Sequence, residues 1–541
     1  MKLDPETIDV SIEELEELVD RTSQRTLEDG ERRKLRAAVE TLGQVARMLS
    51  GTQAHAGDSF RNGATLKRLR QMLLQQPATT EKTRAVLDRV GIKPKASGES
   101  TTVTDKKKRK GHGRNAASAF TGAPKVEVPH PKLRSGDCCP ECVKGKLYPL
   151  KDPAVRVRII GQAPVQATVY ELARLRCNLC QEVYEAPPPE QMGETKRDET
   201  AASMVAVLKY GSGVPFYRLA GLQANLGIPL PPSTQWDMME QTAALIAPVY
   251  EELIREAAQG EVLYNDDTGV RILALVRETA EERTGVFTTG IVATARGRKM
   301  VLFLSGDKHA GENLADVLKR RAAELPPPIQ MCDALSRNAP KGFAVILGNC
   351  LTHCRRNYVE VAANFAPECQ YVLETLGEVY GHDEVARQQK MTDVERLAHH
   401  QARSGPLMER LRQWGRQQWD EHKVEPNSGL GQAIAYMLKH WDKLTLFLRQ
   451  AGAPLDSNIV ERALKKAILH RKNALFYKTR NGARVGDMFM SLIHTCEWCG
   501  GNPFEYLTEL QRHAGELALA PGRWMPWNYR ATLDEAGAVA A

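Results

Sequence analysis

Three acidic positions stand where carboxylates can do chemistry. Val262-Leu263-Tyr264-Asn265-Asp266-Asp267-Thr268 reads as a short apolar strand ending in acids, and Ile329-Gln330-Met331-Cys332 as another strand ending at Asp333. Glu461 lies one turn into a helix opened by Asp456-Ser457-Asn458, with Asp456 or Ser457 as its N-cap. Carboxylates gathered at one end of a sheet repel one another unless cations lie between them, and oxygen-only donors suit Mg²⁺. Two such ions, Mg²⁺ or Mn²⁺, can activate a water or 3′-hydroxyl and stabilise the leaving oxygen of an in-line displacement at phosphorus. The first ligand has two claimants. Asp266 and Asp267 are adjacent in a strand, so their side chains point to opposite faces.

The elements that must position these acids can be read around them. Val286–Ala295 and Lys299–Leu304 are strand-like and flank Arg296-Gly297-Arg298, a hairpin signature. Asn313–Arg321 reads as a helix and Phe343–Leu347 as a fifth strand. This β-β-β-α-β order, followed by a further strand and helices, is that of an RNase-H-like core. In such a core the first and fourth strands are neighbours, so Asp266 and Asp333 meet in space. The long interval before Glu461 is helical in pattern (Asp393–His400, Pro406–Asp420, Gly431–Arg449) and reads as an insertion. The helix of Glu461 is the most basic of the core, with Arg462, Lys465, Lys466, Arg471 and Lys472. Such cations can hold phosphates while the glutamate binds metal. His353 is a catalytic residue, a phosphate contact beside Arg355 and Arg356, or the start of a packed helix. His494, Cys496 and Cys499 read as packing residues.

Cys139-Pro140-Glu141-Cys142 and Cys177-Asn178-Leu179-Cys180 are two C-x-x-C pairs separated by a strand-like stretch. Two thiolates on each tight turn complete a tetrahedral S₄ site, so Cys139, Cys142, Cys177 and Cys180 are expected to bind structural Zn²⁺ in a ribbon. Upstream, Lys106-Lys107-Lys108-Arg109-Lys110 and Arg114 lie in a Gly- and Ser-rich linker, where flexible cations suit phosphate contacts. Leu35, Leu42 and Leu49 repeat at seven in a helical pattern over residues 11–50. They fit a dimerising coiled coil or an ordinary amphipathic helix. Phe216–Leu226, a proline-rich turn and a second helix capped by Ser233 fit a helix-turn-helix or a plain helical connector.

Several of these segments together resemble the insertion-sequence-66 transposases: Asp266-Asp267-Thr268, Asp333, His353-Cys354-Arg355-Arg356, Asp456–Leu464 and Arg471-Lys472-Asn473. Gly111-His112-Gly113-Arg114, the zinc ribbon, Lys209-Tyr210 with Pro215-Phe216-Tyr217-Arg218, and Gly431-Gln432-Ala433-Ile434 before Trp441 extend the likeness over about residues 65 to 528. The resemblance implies a DDE transposase that binds the terminal inverted repeats of its element, with small accessory proteins encoded beside it. It selects Asp266 over Asp267. The family's usual Asp-Glu-Thr-Pro is here Asp266-Asp267-Thr268-Gly269, and its Asp-Gly after the fourth strand is Asp333-Ala334.

The fold class expected is multidomain α+β or α/β. A helical, coiled-coil and DNA-binding region spans 1–91, a basic linker 92–130, a zinc ribbon 131–190 and a helical, helix-turn-helix-like segment 191–258. Then follow the first segment of the RNase-H-like core (259–364), the helical insertion (365–450), the second core segment with the glutamate helix (451–515) and a tail (516–541). A formal net charge of +8 suits a double-stranded DNA partner. No run approaches the roughly 20 apolar residues that cross a bilayer. The acidic start, MKLDPETIDVSIEEL, is no secretory signal, so a cytoplasmic protein is expected, and the resemblance implies a nucleoid-associated homo-oligomer acting on paired ends. A non-catalytic DNA-binding descendant and an RNase-H-fold nuclease are the competing readings.

Overall fold

A computed structural model describes residues 131–140, 144–148, 162–176, 183–193, 195–275 and 285–540. The chain divides after Val90, and every described residue lies in the second unit, Gly91–Ala541. The leucine heptads, Lys106, Lys107, Lys108, Arg109, Lys110, Arg114, Cys142, Cys177 and Cys180 lie outside the described residues.

A two-stranded antiparallel ribbon pairs β1 (Arg174–Arg176) with β2 (Val183–Glu185). Three helices follow: α1 (Glu199–Ala206), α2 (Phe216–Asn225) and the long α3 (Pro232–Ala258). Next come β3 (Val262–Gly269), β4 (Phe287–Ala295), β5 (Arg298–Gly306), α4 (Ala310–Leu318), β6 (Ile329–Cys332), β7 (Ile346–Asn349) and α5 (Leu351–Val361). Helices α6 (Ala366–Gln388), α7 (Asp393–Arg403), α8 (Gly405–Asp420) and α9 (Gly429–Lys439) make up the insertion. Then α10 (Asn458–Ala474), α11 (Arg480–Trp498) and α12 (Pro503–Arg512) return to the sheet.

The sheet is five-stranded, in the order β5-β4-β3-β6-β7. β3 pairs antiparallel with β4 and parallel with β6, and β6 pairs parallel with β7. β3 is therefore central, and β3 and β6 run side by side toward the end that bears the acids. The β4–β5 hairpin turns at Arg296 and Gly297, with φ of 49° and 75°. Two consecutive positive φ values match the twist of a two-residue hairpin, and glycine takes the second without strain.

Four expected boundaries need correction. The fifth strand is Ile346–Asn349, not Phe343–Leu347, because β6 offers only Ile329–Cys332 for it to pair with. The helix after the hairpin begins at Ala310, earlier than Asn313, because His309 and Glu312 form a capping box there. Ser233 is not a cap: Pro231 is the N-cap and Pro232 sets the first turn of α3. Gly431–Arg449 is not one helix, since it leaves helical geometry at His440 (φ −103°, ψ 12°), and Trp441, Leu444 and Phe447 all turn inward.

α3 contributes Met239, Ile246, Val249 and Leu253 to the main core, so it is a core helix along much of its length. Trp524, Met525 and Tyr529, beyond the core segments, are buried in the same cluster. α11 is buried on nearly every side from Val485 to Cys496, with His494 among the buried residues. Three of its polar side chains, one turn apart, face the edge of the sheet. Thr495 Oγ1 accepts the Val301 N–H (3.0 Å), Ser491 Oγ the Phe303 N–H (2.9 Å) and Asp487 Oδ2 the Ser305 N–H (2.6 Å). The outward donors of edge strand β5, costly if buried without partners, are satisfied by a helix instead of another strand. Burial pushes the Asp487 carboxyl up to about 7.

Ser491→Ala removes the middle acceptor and is expected to cost about 1–3 kcal/mol in denaturant unfolding. Because the folded-state pKa of Asp487 is raised, its contribution is present in acid and is lost as pH rises through about 7. Asp487→Asn is therefore expected to flatten the fall in melting temperature between pH 6 and pH 8.

Candidate active site

The strand register separates the two adjacent aspartates. Asp266 lies opposite Gly290, and Asp267 opposite Thr289. Cross-strand partners share a face. A Cβ at Gly290 would stand 3.0 Å from Leu464 and 3.3 Å from Val460, both on α10, so this is the face that α10 covers. Asp266 therefore points to the α10 side. Thr289 meets Asn313 of α4 (2.8 Å), so Asp267 points to the α4 side. There its Oδ2 meets His309 Nδ1 (3.2 Å) and accepts the Ala310 N–H (3.4 Å), while its Oδ1 meets Arg337 Nη2 (3.4 Å). Asp267 is thus occupied at the N-terminus of α4, where the helix dipole favours a carboxylate.

Asp266 is buried, and its carboxyl is pushed up to about 7. Burial is the main cause, followed among the raising influences by the charges of Asp333 and Asp267, while the Asp267 N–H (2.8 Å) and His353 draw it back. Asp333 is held by a polar network whose amide side chains, Asn338, Asn349, Asn265 and Gln330, are almost fully buried. Its Oδ1 accepts from Asn338 Nδ2 (2.5 Å) and the Leu335 N–H (3.0 Å), and its carbonyl accepts from Asn349 Nδ2 (3.1 Å). The Asn338 carbonyl in turn accepts from Asn265 Nδ2 (2.8 Å) and Gln330 Nε2 (2.7 Å). Asn265 and Gln330 lie on the two strands that carry the aspartates, so this network ties Asp333 to the strand of Asp266.

Glu461 is half-buried in the first turn of α10. His353 Nε2 stands 3.8 Å from its Oε1, and Arg356 Nη2 stands 4.0 Å from its Oε2. Glu461 Oε1, His353 Nδ1 and Arg356 Nε are buried without a hydrogen-bond partner. The start of α10 is fixed from the insertion side. Asp456 Oδ1 accepts the Asn458 N–H (3.1 Å), and its Oδ2 accepts from Asn458 Nδ2 (2.8 Å) and Thr352 Oγ1 (3.4 Å). Thr352 also meets Tyr380 of α6 (2.9 Å). Ser457 is the N-cap by position, but its side chain makes no cap bond; Asp456 accepts that N–H instead. Arg396 of α7 binds Asp383 and donates to the Ala453 carbonyl (2.8 Å), just ahead of α10.

The other expected residues are placed as follows. Arg462, Lys465 and Lys472 are exposed on α10. Arg471 is engaged, donating to Thr268 Oγ1 (3.2 Å) and to the Gly269 carbonyl at the end of β3. Arg355 is half-buried, and desolvation lowers its pKa. Cys139 is half-buried, and its N–H donates to the Gly145 carbonyl (2.7 Å). β1 and β2 flank the second cysteine pair in sequence. Among the described residues, no three of His, Cys, Asp and Glu already form a metal cage. The donor set nevertheless fits a hard cation: oxygens only, with Asp266 buried beside Asp333 and Glu461 Oε1 lacking a hydrogen-bond partner.

The contributions of Gly290, Asn338 and Thr352 escaped the sequence reading. Asn265 and Gln330 did leave a signal, as amides inside apolar strand runs.

Residues 196–485, more than half of the chain, match the transposase IS66 family, and the chain belongs to that family. It is 25% identical over 436 residues to the uncharacterized protein y4jD of Sinorhizobium fredii (strain NBRC 101917 / NGR234), covering 76% of this chain and 80% of the relative. It is also 25% identical over 395 residues to y4hP of the same strain, covering 69% and 70%. Membership makes this a transposase-related protein with DNA as its partner. No helix among the described residues is long and apolar enough to cross a membrane.

Gly290→Val would push α10 off the sheet beside Asp266. It is expected to destabilise the fold by about 1–3 kcal/mol and to reduce DNA-processing activity by more than the loss of folded protein explains. Activity per folded molecule, set against the melting curve, checks this.

Proposed function

We propose that the chain is a DNA transposase in which Asp266, Asp333 and Glu461 hold Mg²⁺ and carry strand cleavage and strand transfer at the ends of its element. The observation that carries the reading is the parallel β3–β6 pair, which runs Asp266 and Asp333 to one end of the sheet with the helix of Glu461 over the face of Asp266. The strand order β5-β4-β3-β6-β7, with only β4 reversed against its neighbours, supports an RNase-H-like core. Bound between the acids, the divalent cations would supply the positive charge that an in-line displacement at phosphorus needs on the attacking and leaving oxygens. The chain's own role is to fix the carboxylates. Asn338 holds Asp333, the Asp267 N–H holds Asp266, and His353 and Arg356 stand beside Glu461. Exposed Arg462, Lys465 and Lys472 line up on α10 for phosphate contacts, and Arg355 and Arg356 supply charge beneath. Cys139, Cys142, Cys177 and Cys180 would hold a structural Zn²⁺, and recognition of the inverted repeats belongs with that ribbon and the basic segment 106–114.

Purified full-length protein, labelled element ends, a target plasmid and Mg²⁺ provide the test. Joined products are expected, and Asp266→Asn, Asp333→Asn and Glu461→Gln should each reduce them by at least about a hundredfold. Asp267→Asn should retain most joining while lowering the melting temperature. Cleavage without joining would indicate a nuclease, and binding without either a non-catalytic descendant.

Metal binding should also depend on pH. The raised pKa of Asp266 means that its proton must leave as Mg²⁺ enters. The Mg²⁺-induced rise in melting temperature is expected to be larger at pH 8 than at pH 6, and Asp266→Asn should remove that difference.

A further inference from the structure

Among the described residues, Lys209 is a buried cation with no counterion. Its side chain is 7% exposed, and it sits in a single π-helical turn, Val207–Gly211; such turns recur at functional sites. The Nζ lies 5.0 Å from the ring centre of Phe216 and 5.9 Å from that of Tyr210. Among the described residues no carboxylate pairs with it, and burial alone pulls its pKa down to about 8. The nearby titratable group is His470 of α10, itself buried and pushed down to about 3, first by burial and then by the charge of Lys209. A second cation follows in sequence, Arg471, whose guanidinium reaches the end of β3 at Thr268 and Gly269. The Lys209 segment docks on this end of α10: Asn473 Nδ2 donates to the Gly213 carbonyl (3.1 Å). Desolvating an ammonium without an anion costs several kcal/mol, so this corner of the fold is electrostatically incomplete as it stands.

We propose that Lys209 receives a backbone phosphate of the DNA strand that runs along α10 away from the catalytic carboxylates. The proposal rests on the DNA reading above, but not on the three-carboxylate chemistry. α10 connects the two places. From Glu461 to His470 the helix advances about 13 Å at about 1.5 Å per residue. At about 3.4 Å of duplex axis per phosphate, that is about four nucleotides from the reacting bond. The exposed cations Arg462, Lys465 and Lys472 lie along the same helix. Tyr217, 60% exposed with Arg218 over its ring, borders the same segment and offers an aromatic face to the strand.

The test is a binding measurement without Mg²⁺, on full-length protein and a labelled duplex from the element terminus, across a salt series. Lys209→Met should bind several-fold more weakly at low salt, with the slope of log K against log salt shallower by about 0.9. Its melting temperature without DNA should be unchanged or higher, because an unpaired buried charge has gone. Lys209→Arg should keep most of the binding. On the wild-type protein, which needs no variant to fold, a neutral methylphosphonate about four nucleotides from the cleaved bond should weaken binding, and Lys209→Met should not respond to it. An unchanged affinity and slope for Lys209→Met, or no interference within two nucleotides of that position, would overturn the proposal. Failure of the catalytic reading would look different: no joined products from a protein that still shows the Lys209-dependent slope.

Discussion

A carboxyl taken out of water wants either a proton or a cation, and the region around Asp266 is arranged around that demand. Burial alone disfavours its charged form, and Asp333 on the neighbouring parallel strand adds repulsion. Among the described residues, no salt bridge to Asp266 relieves this. Its nearby cations are engaged elsewhere: Arg337 goes to Asp267 on the opposite face, Arg471 to the end of β3, and Arg356 stands by Glu461. What Asp266 receives is one backbone N–H and an opening in the sheet at Gly290, through which α10 comes close. The electrostatic tension is left for a ligand to resolve.

The insertion belongs to the same arrangement. α6 and α7 reach back to the start of α10 through Tyr380, Thr352, Asp456 and Arg396, so the turn that carries Glu461 is framed by helices far from it in sequence. The Asp456-x-Asn458 pair thereby acquires a physical role distinct from metal binding. It folds the backbone into the first turn and anchors that turn to α5. A carboxylate one turn further along is then presented at a fixed height above the sheet.

The regular elements of this architecture were legible in the residues. Apolar runs ending in acids gave β3 and β6, the Arg296-Gly297 turn gave the hairpin, and the order of elements implied the adjacency of Asp266 and Asp333. What was hidden depends on partners remote in sequence. β7 is displaced toward the C-terminus because only β6 decides where pairing can start. The choice between Asp266 and Asp267 is carried by Gly290, a residue with no side chain to announce it. Lys209 looks like any lysine in an amphipathic segment until the fold shows that, among the described residues, no acid pairs with it. The second cysteine pair was readable only as a spacing, and its geometry lies beyond the described residues.

The polar ladder between α11 and β5 limits how copies of this domain can associate. Four residues of helix advance about 6.0 Å and two residues of strand about 6.6 Å. A helix can therefore keep step with a strand edge for three rungs before the mismatch grows, and this one supplies three. That edge is closed to any incoming strand. A second copy of this domain therefore cannot extend the sheet through the β5 edge along Val301–Ser305. The ladder thus protects the β5 edge of the sheet from edge-to-edge aggregation.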